Sequence, residues 1–202
     1  MSSTNRGYDR HATDYYVTPQ EAIEVFLDAW LGDLQKGEFH DDVLGVADHP
    51  DKILWLDPCA GGDTKHAMSY PAVLEKHFGV VPETIDVRED SLAEKKEDYL
   101  LADVVPPPQI IITNPPFYLA KAVIEKALRD VVEGGYVVML LRLNFFGSND
   151  RFGFFQKQLP TWAYVHHRRF SFTEDKKTDS IEYMHAVWQK GADPAFTMLK
   201  VI

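Results

Sequence analysis

The stretch Ile110-Ile111-Ile112-Thr113-Asn114-Pro115-Pro116-Phe117 decides how this chain is read. Three isoleucines favour a buried strand. The strand must end at the prolines, because proline cannot donate to a sheet ladder and fixes its own backbone. Each proline also pushes the residue before it into an extended shape. The product is a stiff loop at a strand's carboxyl end, offering one amide side chain, carbonyls without a competing N–H and an aromatic ring. Those groups suit a planar, amine-bearing partner held against an aromatic face. A second loop, Asp57-Pro58-Cys59-Ala60-Gly61-Gly62-Asp63, follows another apolar run, Ile53-Leu54-Trp55-Leu56.

Strands and helices alternate around these two loops. Residues 19–34 place Ala22, Ile23, Phe26, Leu27, Trp30 and Leu31 at helical spacing, with Thr18 as N-cap and Pro19 at the first helical position. Residues 53–56, 83–87, 109–113, 136–141, 161–167 and 181–189 read as strands. Residues 64–77 read as a helix kinked at Pro71, 89–99 as a charged helix or loop, and 119–132 as an amphipathic helix closed by Gly134-Gly135. Residues 145–159 are mixed, and 1–14 read as a loose amino-terminal arm. The alternation predicts a single α/β domain whose mostly parallel sheet has helices on both faces. In such sheets ligands bind beyond the carboxyl ends of the strands, so the two loops should be neighbours.

Composition bounds the function. The 202 residues are 45% hydrophobic and 26% charged, as in ordinary globular domains. No apolar run approaches the roughly 18 residues of a membrane span, and no signal peptide opens the chain. A lone cysteine, Cys59, fits a reducing cytoplasm and excludes an internal disulfide. The eight histidines lack metal-ligand spacing, so no metal is expected, and His166-His167 read as surface groups on the phosphate side of a substrate. Net charge is −10, which opposes generic affinity for nucleic acid. Between Arg142 and Lys177, however, seven Lys/Arg face three Asp/Glu, a local +4 that leaves −14 elsewhere.

The loop at 57–63 has its own chemistry. Gly61 and Gly62 let backbone approach a ligand closely, and a following helix would add amide donors. The spacing differs from the Gly-x-Gly-x-x-Gly of dinucleotide binders. An acid precedes the glycines instead, which suits a ligand bearing an ammonium and a sulfonium. Asp86, ending a strand, is placed to take a ribose diol by analogy with dinucleotide folds; Asp103 or Asp90 could accept from an adenine amine.

These motifs resemble those of small phage or bacterial N6-adenine DNA methyltransferases, in the γ-type order, over residues 15–190. Tyr15-Tyr16-Val17-Thr18-Pro19 resembles the family's amino-terminal Thr-Pro motif, and 57–63 its Asp-Pro-x-x-Gly-x-Gly motif, with Asp63 where the last glycine stands. Asn114-Pro115-Pro116-Phe117 matches the catalytic motif. The resemblance implies a class I, Rossmann-like fold with a seven-stranded sheet and S-adenosyl-L-methionine as cofactor. It assigns the cofactor to Tyr16, Thr18, Pro19, Asp57, Pro58, Cys59, Ala60, Gly61, Asp63, Asp86, Val87, Asp103 and Asn114. Phe117, Phe170, Phe172, Arg168 and Arg169 would meet the substrate: DNA, either single-stranded or duplex with a flipped adenine. The implied protein is a cytoplasmic monomer or homodimer, of a restriction-modification or phage modification kind, without a target-recognition domain. Related loops serve base amines of RNA and a glutamine amide of protein, and a catalytically inactive scaffold subunit is a further alternative.

Overall fold

The computed structural model describes residues 16–37, 45–171 and 181–202. The expected arm at 1–14, and Phe172, Lys176 and Lys177, lie outside them. The elements run α1 (Gln20–Lys36), β1 (Trp55–Asp57), α2 (Ser69–Phe78), β2 (Glu83–Asp86), β3 (Lys95–Lys96), β4 (Ile110–Thr113), α3 (Ala120–Asp130), β5 (Tyr136–Arg142), α4 (Asn149–Phe155), β6 (Trp162–Val165), β7 (Tyr183–Gln189) and β8 (Met198–Val201). One sheet has the order β3-β2-β1-β4-β5-β7-β6-β8. Neighbours from β3 through β5 pair in parallel, and β7 runs against both β5 and β6.

Successive side chains of a strand point to opposite faces, and the central strands are apolar on both. One face carries Ile110, Ile112, Tyr136, Val138 and Val187 against α1 and α2. The other carries Ile111, Val137, Met139, Leu141 and Ala186 against α3 and α4. Burial on both faces explains why these strands read as continuous apolar runs. Helix α1 docks through Ile23, Phe26, Leu27 and Trp30, each at most 1% exposed. It stops at Gly37, whose left-handed φ of 62° lets its N–H cap Leu34 O.

Several expectations are corrected. The sheet has eight strands rather than seven, because Met198–Val201 pairs in parallel with β6. Helix α2 begins at Ser69 and not near 64, since the Asp63 carboxylate holds residues 63–66 in a turn, accepting from Lys65 N at 2.7 Å and His66 N at 2.8 Å. Pro71 therefore falls in the first turn of α2, where a missing N–H removes no helical bond, and it makes no kink. Of the two readings for residues 89–99, helix or loop, the loop holds, and it carries the unexpected two-residue strand β3. Thr18 does not cap α1: Pro19 occupies that position without a side-chain bond.

Trp30 is 0% exposed, stacks on Phe26 at 5.7 Å and meets Tyr136 edge-on at 5.3 Å. Trp30→Ala is expected to cost about 3–5 kcal/mol of unfolding free energy, read from urea titrations. A loss under about 1 kcal/mol would contradict this docking of α1.

Candidate active site

The strand order reverses between β1 and β4, and the loops leaving their carboxyl ends meet there, as expected for an open α/β sheet. Carboxylates tie the strand ends together. Asp57, 1% exposed at the end of β1, accepts from Thr113 Oγ1 of β4 at 2.6 Å and from Cys59 N at 3.2 Å, both on Oδ1. Asp86, ending β2, accepts from Gly61 N at 2.8 Å on one oxygen and Arg88 N at 2.8 Å on the other. Gly61 and Gly62 have φ of 65° and 73°. A Cβ at Gly62 would lie 2.8 Å from Met68 Cγ, so both conformation and packing demand glycine.

Thr18 supplies a connection that spacing alone does not reveal. Thr18, 3% exposed, accepts through its hydroxyl from Asn114 Nδ2 at 3.0 Å. Once the amide nitrogen is tethered, Asn114 presents its carbonyl oxygen as the acceptor. The residue expected to cap α1 instead orients the amide of the Asn-Pro-Pro loop.

These loops enclose a small cleft of about 90 Å³ that opens to solvent. Tyr16, Thr18, Pro58, Cys59, Ala60, Asp86, Val87 and Asn114 line it, all of them expected from the sequence. Asp57, Gly61, Asp63 and Pro19 do not reach its wall. Asp57 lies behind the Cys59 backbone, and Asp63 is committed to its own turn. The Lys65 and His66 amides hold the Asp63 carboxyl at about 2.

Asp103 is exposed and away from the cleft, and the exposed Asp90 pairs with Arg88 Nε at 3.0 Å. Asp98 lines the cleft instead, beside Tyr99 and Leu100, with Arg88 and Tyr70 also in the wall. Asp98 was missed because it sits in a charged run without strand or helix pattern; its carboxylate accepts from Leu100 N at 2.9 Å, the mark of an Asp-initiated turn.

Phe117 is not part of the cleft wall. Tyr16 stacks near it at 6.4 Å, Tyr183 tilts toward it at 5.9 Å, and the Arg142 guanidinium covers its ring at 4.4 Å. Phe170 is 6% exposed, packed on Tyr183 at 5.4 Å and on His166 at 4.7 Å, so it is a core residue and not a surface platform for a base. Arg168 faces Glu21 at 3.6 Å and Arg169 faces Glu182 at 2.7 Å, both pairs exposed. Such pairs are worth about 0–1 kcal/mol and yield readily to another anion.

His166 corrects the surface reading given to both histidines. It is 5% exposed and forms a buried chain: His166 Nε2 to His185 Nδ1 at 2.8 Å, then His185 Nε2 to the Tyr70 hydroxyl at 2.9 Å. His167 is exposed, as an alternating strand end requires.

No protein-family model matches the chain, and no curated protein is significantly similar in sequence. Solved structures share its fold. A class I S-adenosylmethionine-dependent methyltransferase candidate from Listeria monocytogenes superposes with a TM-score of 0.60 over 93% of this chain, at 15% identity. An RNA methyltransferase candidate from Pyrococcus horikoshii gives 0.58 over 93% of this chain and 94% of its own length, at 14% identity. The modification subunit of a candidate type I restriction enzyme from Vibrio vulnificus gives 0.52 over 92% of this chain, at 13% identity. This chain spans 65% of the Listeria protein and 53% of the Vibrio subunit. The fold is that of the class I methyltransferases.

Burial pushes the Asp57 carboxyl up to about 7, against the Thr113 and Cys59 hydrogen bonds. Its Oδ2 is buried without a hydrogen-bond partner among the described residues. Between the ordinary carboxyl value of about 4 and about 7, the unfolded chain releases this proton while the folded chain keeps it. The Asp57 contribution to stability is therefore complete below about pH 4 and lost as pH rises to about 7. Buried His166 and His185 are pushed down, the former to about 4, and their contribution is lost as pH falls. The stability difference between wild type and Asp57→Asn isolates the carboxyl. In ligand-free protein it should decline as pH rises from about 4 to about 7, followed by denaturant midpoints. A flat difference would mean that Asp57 is ionised in the fold throughout.

Proposed function

We propose that the chain transfers a methyl group from S-adenosyl-L-methionine to the N6 amine of adenine in DNA. The observation that carries this is Asn114, which lines the cleft just before two prolines and whose amide is tethered through its nitrogen to Thr18, leaving its oxygen as the acceptor. The cleft suits the cofactor. Asp86 keeps lone pairs for ribose hydroxyls beyond the two amides it accepts, and Asp98 is an exposed carboxylate in the wall for an adenine amine. When bound, S-adenosylmethionine supplies a methyl on a sulfonium, an excellent leaving group.

The chain's own residues address the other reactant. The N6 amine is a weak nucleophile because its lone pair is delocalised into the ring. Asn114 Oδ1 and the Pro115 carbonyl would each accept one amine hydrogen, drawing the nitrogen toward a tetrahedral shape as positive charge develops on it. Acceptors fixed in advance avoid reorganisation at that moment. In-line transfer then depends mainly on positioning, and no strong general base is needed to start it. Phe117 flanks the base position.

DNA is favoured by the order of the motifs; the fold is shared both with a restriction-enzyme modification subunit and with an RNA methyltransferase candidate. Incubation with tritiated cofactor and separate pools of duplex DNA, single-stranded DNA and RNA, followed by nucleoside identification, tests the choice; a label only in RNA or in protein would overturn it.

Asn114→Ala should lose about 10²–10³ in turnover, the usual worth of one preorganised electrostatic group, while binding of S-adenosylhomocysteine persists in calorimetry. Near-normal turnover would remove Asn114 from the mechanism. Thr18→Val should lower turnover about fivefold, matching the loss of one hydrogen bond of about 1 kcal/mol. Thr18→Ser keeps the hydroxyl and should restore the rate; equal loss in both variants would reduce Thr18 to packing.

A further inference from the structure

Arg142 ends β5, the neighbour of β4 on the side away from the loop at 57–63. Its guanidinium carbon lies 4.4 Å from the centroid of Phe117, the aromatic residue of the Asn-Pro-Pro-Phe loop. The other described arginines between 142 and 169 have oxygen partners. Arg151 Nε donates to Phe145 O at 2.6 Å, Arg168 faces Glu21, and Arg169 faces Glu182. For Arg142 no hydrogen-bond acceptor or carboxylate is found among the described residues, and its Nε is buried without one.

A charged donor left without an acceptor is costly to hold. Stacking on Phe117 offsets part of that cost, but it occupies only the flat face of the guanidinium. The two Nη groups, unlike Nε, are not fully buried, and their N–H bonds lie in the plane, at the edge, where stacking leaves them available. What the position lacks is an anion that accepts several hydrogen bonds in one plane, and a phosphate fits that geometry.

Building on the nucleic-acid reading above, we propose that Arg142 is a phosphate-binding residue. It takes a backbone phosphate of the nucleotide whose base enters beside Asn114. Because the same guanidinium rests on Phe117, gripping the phosphate also fixes the ring that flanks the base. A planar cation on an aromatic face is held in a defined orientation, so the contact places the sugar-phosphate as well as attracting it.

The test uses an oligodeoxynucleotide that the wild-type protein methylates, titrated in the presence of S-adenosylhomocysteine at several salt concentrations. Arg142→Met should lower the log–log salt slope by about 0.7–0.9 for the lost contact and leave S-adenosylhomocysteine affinity unchanged. Arg142→Lys keeps the charge and should keep the slope. A purely structural arginine would weaken binding without moving the slope. A second measurement needs no variant: methylphosphonates replace the phosphates flanking the methylated adenine, and the wild-type KM should rise about tenfold. An unchanged slope in Arg142→Met, or an unchanged KM with the neutral linkages, overturns this inference and leaves the methyltransferase reading standing. A wild-type protein that binds and methylates no nucleic acid at all removes both.

Discussion

The short hydrogen bond from Thr113 to the buried Asp57 carboxylate fastens the end of β4 to the end of β1. Both functional loops begin at the next residue on their strands, so their separation is set by this one contact and the ladder beneath it. Asp86 repeats the device one strand further out, gripping Gly61 and thereby the glycine turn. A parallel ladder alone allows strand ends to fray, because each terminal residue has lost half its partners. Side-chain acceptors at those ends replace the missing ladder with bonds that cannot slide. The consequence is a cleft whose floor is rigid before any ligand arrives, which is the condition for positioning to lower a barrier.

That rigidity carries a cost in charge. Asp57 is desolvated more thoroughly than its two hydrogen bonds offset, so its proton is retained toward neutral pH. A carboxylate used only as a tie could have been a threonine or an asparagine with every atom paired. Instead one oxygen is left bare and buried. Asp86, at 7% exposure, has both oxygens bonded to amides and reaches the cleft wall. The two acids are therefore not equivalent: one is buried behind the cleft with an oxygen lacking a donor among the described residues, and the other lines the cleft.

How much of this was legible follows from what each segment buries. Ile110–Thr113 and Tyr136–Arg142 are buried along nearly their whole length, so sequence displayed them as apolar runs with proline or glycine at the ends. The strand Lys95–Lys96 is exposed at both positions and only two residues long, leaving no pattern to find. Met198–Val201 is an edge strand with Leu199 and Val201 mostly exposed, and its pairing with β6 is purely tertiary. At the site, the motif residues were legible because proline and glycine restrict the backbone locally. Asp98 and the Thr18–Asn114 bond were not, since 96 residues separate the latter pair and nothing in spacing encodes their meeting. Phe170 misled because the resemblance placed it against a substrate base, yet Tyr183 and His166 enclose it.

The chain from His166 through His185 to Tyr70 shows how the core reaches the cleft. Burial keeps both imidazoles neutral, and a neutral imidazole has one donor and one acceptor nitrogen. Linked head to tail, the two rings must align their tautomers, and the Tyr70 hydroxyl takes its direction from that alignment. If His185 donates to Tyr70, the hydroxyl hydrogen is free for the cleft; if His185 accepts, Tyr70 offers only a lone pair. Phe26 stacks on His185 at 4.2 Å, so α1 clamps the ring that makes this choice. Helix α1 thus acts on the cleft twice, through Thr18 just before its start and through Phe26 in its first turns. Its docking on the sheet is in this way coupled to the polarity of the wall that a ligand meets.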